Sequence, residues 1–230
     1  MHSVPSGFSW ETGVSVDLGA GRFPRNPLRA RRLVAVDVLD EAAFVENSNV
    51  EYVRTIPGEQ LQFDDEQVDC CTGYDFLEHV PRFDRLTDGR AVNPFIEMMN
   101  EIYRILRPGG VLIAVTPSFP REAAFTDPTH VNPITPGTHE YFSGHVHARQ
   151  LGYGFNGDFN CLAAEWIFTD DPVWDCIDTG EREPSPDPLS GSGARTSRRG
   201  QITDRFRHSR FSPETPFHFL WVLQKRLAAP

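Results

Sequence analysis

Four residues stand where a nucleoside could be held. Asp17 closes the apolar run Val14-Ser15-Val16-Asp17, Gly19 and Gly21 follow it, and Asp37 closes the next run, Leu33-Val34-Ala35-Val36-Asp37. Glycine reaches positive φ and lets a ligand approach the backbone closely. A carboxylate ending the second strand of a βαβ unit is placed to take a pair of ribose hydroxyls. A second constellation lies far along the chain, in Phe125-Thr-Asp-Pro-Thr-His-Val-Asn-Pro-Ile-Thr-Pro136. This stretch has neither helical nor strand period. Asp127 and His130 in it could pair, the carboxylate fixing the imidazole, and such a pair takes protons from weak nucleophiles. The plainer alternative is a turn in which Asp127 caps and His130 packs.

Strands are needed to bring these groups together. Residues 14–17, 33–37, 50–54, 68–72 and 111–115 read as five strands. The last is wholly apolar, as a strand covered on both faces should be. Between residues 95 and 106, Phe95, Ile96, Met98, Met99, Ile102, Ile105 and Leu106 follow the helical period. Asn93 is placed to cap that helix, with Pro94 at its first position, and residues 107–110 end it. Pro24 and Pro27 stand against a regular helix after the first strand, so a short or irregular one is expected there. Residues 41–46 are a short helical candidate, 58–63 a loop and 64–66 an acidic turn. Residues 161–168 and 217–223 are further strands. Strands joined by crossovers predict an α/β fold with an open, mostly parallel sheet, whose ligands sit beyond the carboxyl ends of the strands.

The 230 residues suffice for a single domain, and 39% hydrophobic with 11% aromatic residues make it globular. A net charge of -10 argues against a nucleic-acid binder. The four cysteines form no CxxC pair, so no zinc site is expected from them, and Cys70 and Cys71 read as buried thiols. The start is unlike a signal peptide, and no apolar run is long enough for a membrane span, so a cytoplasmic location is expected. Residues 1–12 form an N-terminal arm with Phe8 and Trp10.

Pro24 stands where a dinucleotide-binding G-x-G-x-x-G loop has its third glycine. That counts against NAD or FAD and for a cofactor without phosphate. Asp17-Leu-Gly-Ala-Gly21, Val36-Asp37, residues 63–80 ending in Leu77-Glu-His-Val80, and Leu106-Arg-Pro-Gly-Gly110 resemble, in order and spacing, the motifs of class I methyltransferases that use S-adenosylmethionine (SAM). Residues 24–27 and the Asp-Pro-Thr-His run resemble a bacterial subgroup that methylates sugars, polysaccharides or secondary metabolites.

The resemblance implies a Rossmann-like seven-stranded sheet, mostly parallel, with helices on both faces and an antiparallel last strand. It implies SAM as cofactor and S-adenosylhomocysteine (SAH) as product. Gly19, Ala20 and Gly21 would line the methionine part, Asp17 its amino group, Asp37 and Val38 the ribose. Gln60, Leu61 and Gln62 would lie near adenine, and Tyr74 near the methyl group. Asp75, His79 and Phe119 would face the substrate, with His130 and Asp127 catalytic. The acceptor would be a small molecule whose hydroxyl is methylated, an anionic sugar derivative if Arg198 and Arg199 in the basic cluster 195–210 contact it. Residues 118–160 would form a substrate-side insertion and 171–214 a long loop between strands six and seven. His139, His145 and His147 read as surface histidines. A homodimer, a methyltransferase of RNA or protein, and a non-catalytic SAM-binding subunit remain open.

Overall fold

Val111, Ile113 and Val115 turn to one side of their strand and Leu112 and Ala114 to the other, and all five are buried. Side chains alternate along a strand, so a run apolar at every position needs cover on both faces. The computed structural model describes residues 13–39, 50–56, 59–144, 150–168 and 215–227. They contain a seven-stranded sheet in the order β3-β2-β1-β4-β7-β9-β8. Its strands are β1 (Val14–Leu18), β2 (Arg32–Asp37), β3 (Val50–Arg54), β4 (Val68–Tyr74), β7 (Leu106–Pro117), β8 (Phe159–Ile167) and β9 (His218–Lys225). The first five in space run parallel, and β9 lies antiparallel between β7 and β8.

The larger core lies on the face covered by α1 (Pro94–Ile105), where Phe95, Met98, Met99, Ile102 and Ile105 meet Val16, Val34, Cys71, Leu112 and Trp221. The opposite face is thinner: Cys70, Tyr74, Val111, Ile113, Val115 and Leu220, with Leu28 against them. Both adjacent thiols are buried as expected, one on each face, and burial pushes Cys70 up to about 12. Asn93 caps α1, its side-chain oxygen accepting the Ile96 N–H at 3.1 Å. Asn93→Ala should therefore cost about 1 kcal/mol in urea unfolding, the usual worth of such a cap.

One boundary moves and one element is added. The helix does not end in a turn at residues 107–110. Leu106 is already extended and opens β7, with residues 107–110 bulging out of register between its pairings with Val68 and Cys70. A two-stranded hairpin, β5 (Asp84–Arg85) and β6 (Ala91–Val92), precedes α1 and was not expected. The segment between β1 and β2 is built of turns, as Pro24 and Pro27 require. The arm 1–12, the helical candidate 41–46 and the whole expected loop 171–214, with Arg198 and Arg199, lie outside the described residues. Among the described residues no helix is long and apolar enough to cross a membrane.

Candidate active site

The carboxyl ends of β1 and β2 carry the glycine loop. Gly19 and Gly21 have φ of +65° and +57°, the left-handed region where only glycine sits without strain. A Cβ on Gly19 would lie 2.6 Å from the Phe76 ring, whereas Gly21 has open space beside it. The N–H groups of Gly19 and Ala20 both donate to Val36 O, at 2.9 and 3.2 Å, and that of Gly21 to Asp37 Oδ2 at 2.8 Å. All three loop N–H groups are thus turned inward, and turns follow instead of a helix N-terminus. A pyrophosphate needs both; neither is present.

Asp17 lies under this loop, 2% exposed. Its Oδ1 accepts the Thr72 hydroxyl at 2.5 Å and its Oδ2 the Arg25 N–H at 2.8 Å. Burial outweighs these bonds and raises its pKa to about 6. Asp37 is half-buried at the rim, its Oδ1 accepting from Leu39 N–H at 3.0 Å, with Val38 exposed beside it. Each oxygen keeps a lone pair for a further donor. An anion under bare glycines, an open face at Gly21 and a reachable carboxylate fit an ammonium group and a ribose.

Not all expected cofactor contacts sit here. Leu61 is core, 2% exposed, and its backbone binds Glu101 and Arg104 near the end of α1. That end leads into the amino end of β7, away from the cleft. Gln60 and Gln62 are exposed along a surface groove of about 460 Å³. Tyr74 is buried too, packed on the thinner face with the Arg25 guanidinium 4.4 Å above its ring.

Beyond β4 the chain turns sharply. Asp75 has φ +48° and its N–H donates to Val115 O. Its Oδ1 accepts from His218 Nε2 at 2.9 Å. His218 opens β9 opposite Pro117, so strand pairing delivers it to the same rim. A 3-10 turn, Leu77–His79, follows. Asn132 stitches the 127–134 loop onto it, its N–H on Glu78 O and its side-chain amide on Leu77 O, both at 2.9 Å. Exposed Phe119 and Phe125 meet edge to face nearby, centroids 6.4 Å apart.

The expected Asp127–His130 pair does not form. Asp127 Oδ1 accepts both the N–H and the hydroxyl of Thr129, at 2.7 and 2.6 Å, an Asx turn. The carboxylate facing His130 is Glu78, with His130 Nε2 3.9 Å from its Oε1. Glu78 is 1% exposed, and burial, then the charge of Asp75, lifts its pKa to about 8. Sequence reading passed over Glu78 and His218. For Glu78 a signal existed, a lone acid in the apolar Phe76–Val80 turn; for His218 none did, since only β-pairing brings it to Asp75. His139 is not a surface residue: it is buried, its Nδ1 donating to Pro136 O at 2.7 Å and its ring near Phe219 and Trp221. His145 and His147 lie outside the described residues.

Residues 15–114 match the family described as a methyltransferase domain. No curated protein matches the chain. Among solved structures it is similar to a chain of the complex between the Haloferax volcanii Trm112 methyltransferase activator and a methyltransferase. The TM-score is 0.53 at 17% identity, over 94% of this chain and 84% of that one. A SAM-dependent methyltransferase from Archaeoglobus fulgidus gives 0.50 at 15% identity, over 94% and 87%. The cyclase SpnF gives 0.50 at 14%, over 94% and 76%. At such identities the likeness speaks to fold alone, and folds host many reactions. The expected seven-stranded sheet with its antiparallel member is the observed one. With no pyrophosphate cradle to serve, the rim carboxylate and the open glycine face fit S-adenosylmethionine, the cofactor that the methyltransferase-domain match over residues 15–114 supports.

Proposed function

We propose that this domain methylates a hydroxyl of a small-molecule acceptor, a sugar or a related secondary metabolite. The Asp75–His218 pair at the end of β4 carries the reading. When bound, SAM supplies a methyl group already activated on a sulfonium, so positioning does much of the work. A hydroxyl is a weak nucleophile, and a group that takes its proton adds about 10²–10⁴-fold. Asp75 is exposed to the cleft and His218 holds it, so the pair can accept that proton where parallel-sheet ligands bind. The exposed rings of Phe119 and Phe125 offer an apolar surface to the carbon face of a sugar.

The test is methyl transfer from labelled SAM to a panel of neutral sugars, nucleotide sugars, catechols and amines, with SAH calorimetry alongside. Transfer to a hydroxyl of one acceptor class is expected. Transfer to amines alone would overturn the hydroxyl assignment, and absence of SAH binding would overturn the cofactor.

A further inference from the structure

Three electron-pair donors converge beside the cleft. Glu78 Oε2 accepts the Thr116 hydroxyl at 2.9 Å, but its buried Oε1 has no hydrogen-bond partner among the described residues. His79 Nδ1 lies 3.1 Å from Thr129 Oγ1 and 3.2 Å from Thr129 O. That hydroxyl already donates to Asp127, and a carbonyl only accepts, so the His79 proton sits on Nδ1 and the lone pair on Nε2. His130 Nδ1 faces Ala124 O at 3.2 Å, which puts its lone pair on Nε2 as well, towards Glu78 Oε1. The two rings meet edge to face, centroids 4.8 Å apart. One ligand atom from each of Glu78, His79 and His130 lies within 4.8 Å of the others.

A single proton joins only two of these atoms, and 3.9 Å between His130 and Glu78 is too long for a hydrogen bond. A cation satisfies all three at once. We propose that Glu78, His79 and His130 bind a divalent transition-metal ion. Two imidazoles and one carboxylate suit zinc, manganese, iron, cobalt or nickel, whereas calcium and magnesium take all-oxygen sites. Tetrahedral bonds of about 2.1 Å hold ligand atoms roughly 3.4 Å apart. The widest spacing of 4.8 Å must therefore close by roughly 1.4 Å, and His79, partly exposed, has room to move.

The supports around the trio are those a metal site uses: ligand imidazoles donate their second N–H to carbonyls or to a carboxylate network. Asp127 is then a positioning residue. It holds Thr129, and Thr129 holds His79. Three protein ligands leave coordination positions open, where an acceptor oxygen could bind. Only that last role rests on the proposed hydroxyl methylation; the ion site stands without it.

The experiment uses the full chain stripped of metal, titrated with Co²⁺ by visible absorption and with Zn²⁺ by calorimetry. One ion per chain is expected. Glu78→Gln, His79→Ala and His130→Ala should each weaken it about 100-fold, and Asp127→Ala about tenfold. His139→Ala should change nothing. Glu78→Gln keeps the oxygen that accepts from Thr116, so it preserves the fold, and SAH binding measured on the same samples separates loss of the ion site from loss of the cofactor site. Absence of a cobalt band in the wild type, or equal affinity in Glu78→Gln, would overturn the proposal and leave a proton-sharing cluster.

Discussion

Asparagine at position 17 should reduce SAH affinity at least 100-fold and leave the domain folded. Among the described residues Asp17 is the buried carboxylate beneath the glycine loop, its two oxygens accept from Thr72 and the Arg25 N–H, and the Arg25 charge lies near it. A buried anion facing an ammonium group loses most when its charge is removed, about 2–5 kcal/mol for a desolvated pair. The pH dependence has opposite signs for the free and bound protein. Burial raises the Asp17 pKa from 3.8 to about 6. A raised acid contributes stability that is present below its unfolded pKa and lost as pH rises through its folded one. The free wild type should thus lose up to about 3 kcal/mol from this group between pH 4 and 6, and Asp17→Asn should not. Cofactor binding needs the ionised form, so wild-type SAH affinity should fall as pH drops below about 6, by up to tenfold per unit. Calorimetry from about pH 5 to 8 and urea unfolding over the lower range check both signs. A pH-independent SAH affinity, or undiminished binding in Asp17→Asn, would remove Asp17 from the cofactor site.

The parallel sheet was legible because its signals are local. Val111 to Val115 could only be a strand buried on both faces, and Asn93-Pro94 before an apolar stripe could only open a helix. Pro24 and Pro27 ruled out a regular first helix, but a short or irregular one was expected and the structure has turns there instead. That absence also decided the cofactor, since the structure turns the loop N–H groups towards Val36 and Asp37 and leaves nothing for a pyrophosphate. Most strand ends shifted by no more than two residues, and the start of β7 by five, because pairing partners, not propensity, end strands: β9 runs on to Lys225, whose ammonium reaches Tyr103 O and Glu66.

The acceptor side was legible only as a list of residues. Asp127 and His130 are three apart in a stiff loop, and that spacing suggested a pair. Their separation arises from a competing local bond, the Asx turn to Thr129, which is available to any Asp two residues before a Thr. The true neighbours, Glu78 with His130 and Asp75 with His218, are 52 and 143 residues apart. No period or spacing encodes such contacts. They follow from the 127–134 loop folding over the 3-10 turn and from β9 entering the sheet beside β7.

Asp75→Asn and His218→Gln should each lower kcat by about 10²–10⁴-fold on the acceptor that the methyl-transfer panel yields, with SAH affinity unchanged within about twofold. The two substitutions are chosen to be structurally quiet. Asparagine is among the few residues that tolerate the left-handed backbone Asp75 adopts at φ +48°, and its side-chain oxygen can still accept from His218. Glutamine at 218 can still donate to Asp75 but cannot carry a proton. If His218→Gln keeps full kcat while Asp75→Asn is inactive, Asp75 alone takes the proton and His218 is a positioning residue. If both fall together, and the double variant is no worse than either single one, the two act as one unit, as coupled catalytic groups do. If neither lowers kcat, the rim pair plays no part in the chemistry, and the proton must leave by another route. The neighbouring trio of Glu78, His79 and His130 is then the remaining one, because an ion held there would acidify a bound hydroxyl directly. Adding and removing metal in the Asp75→Asn background would separate the two routes.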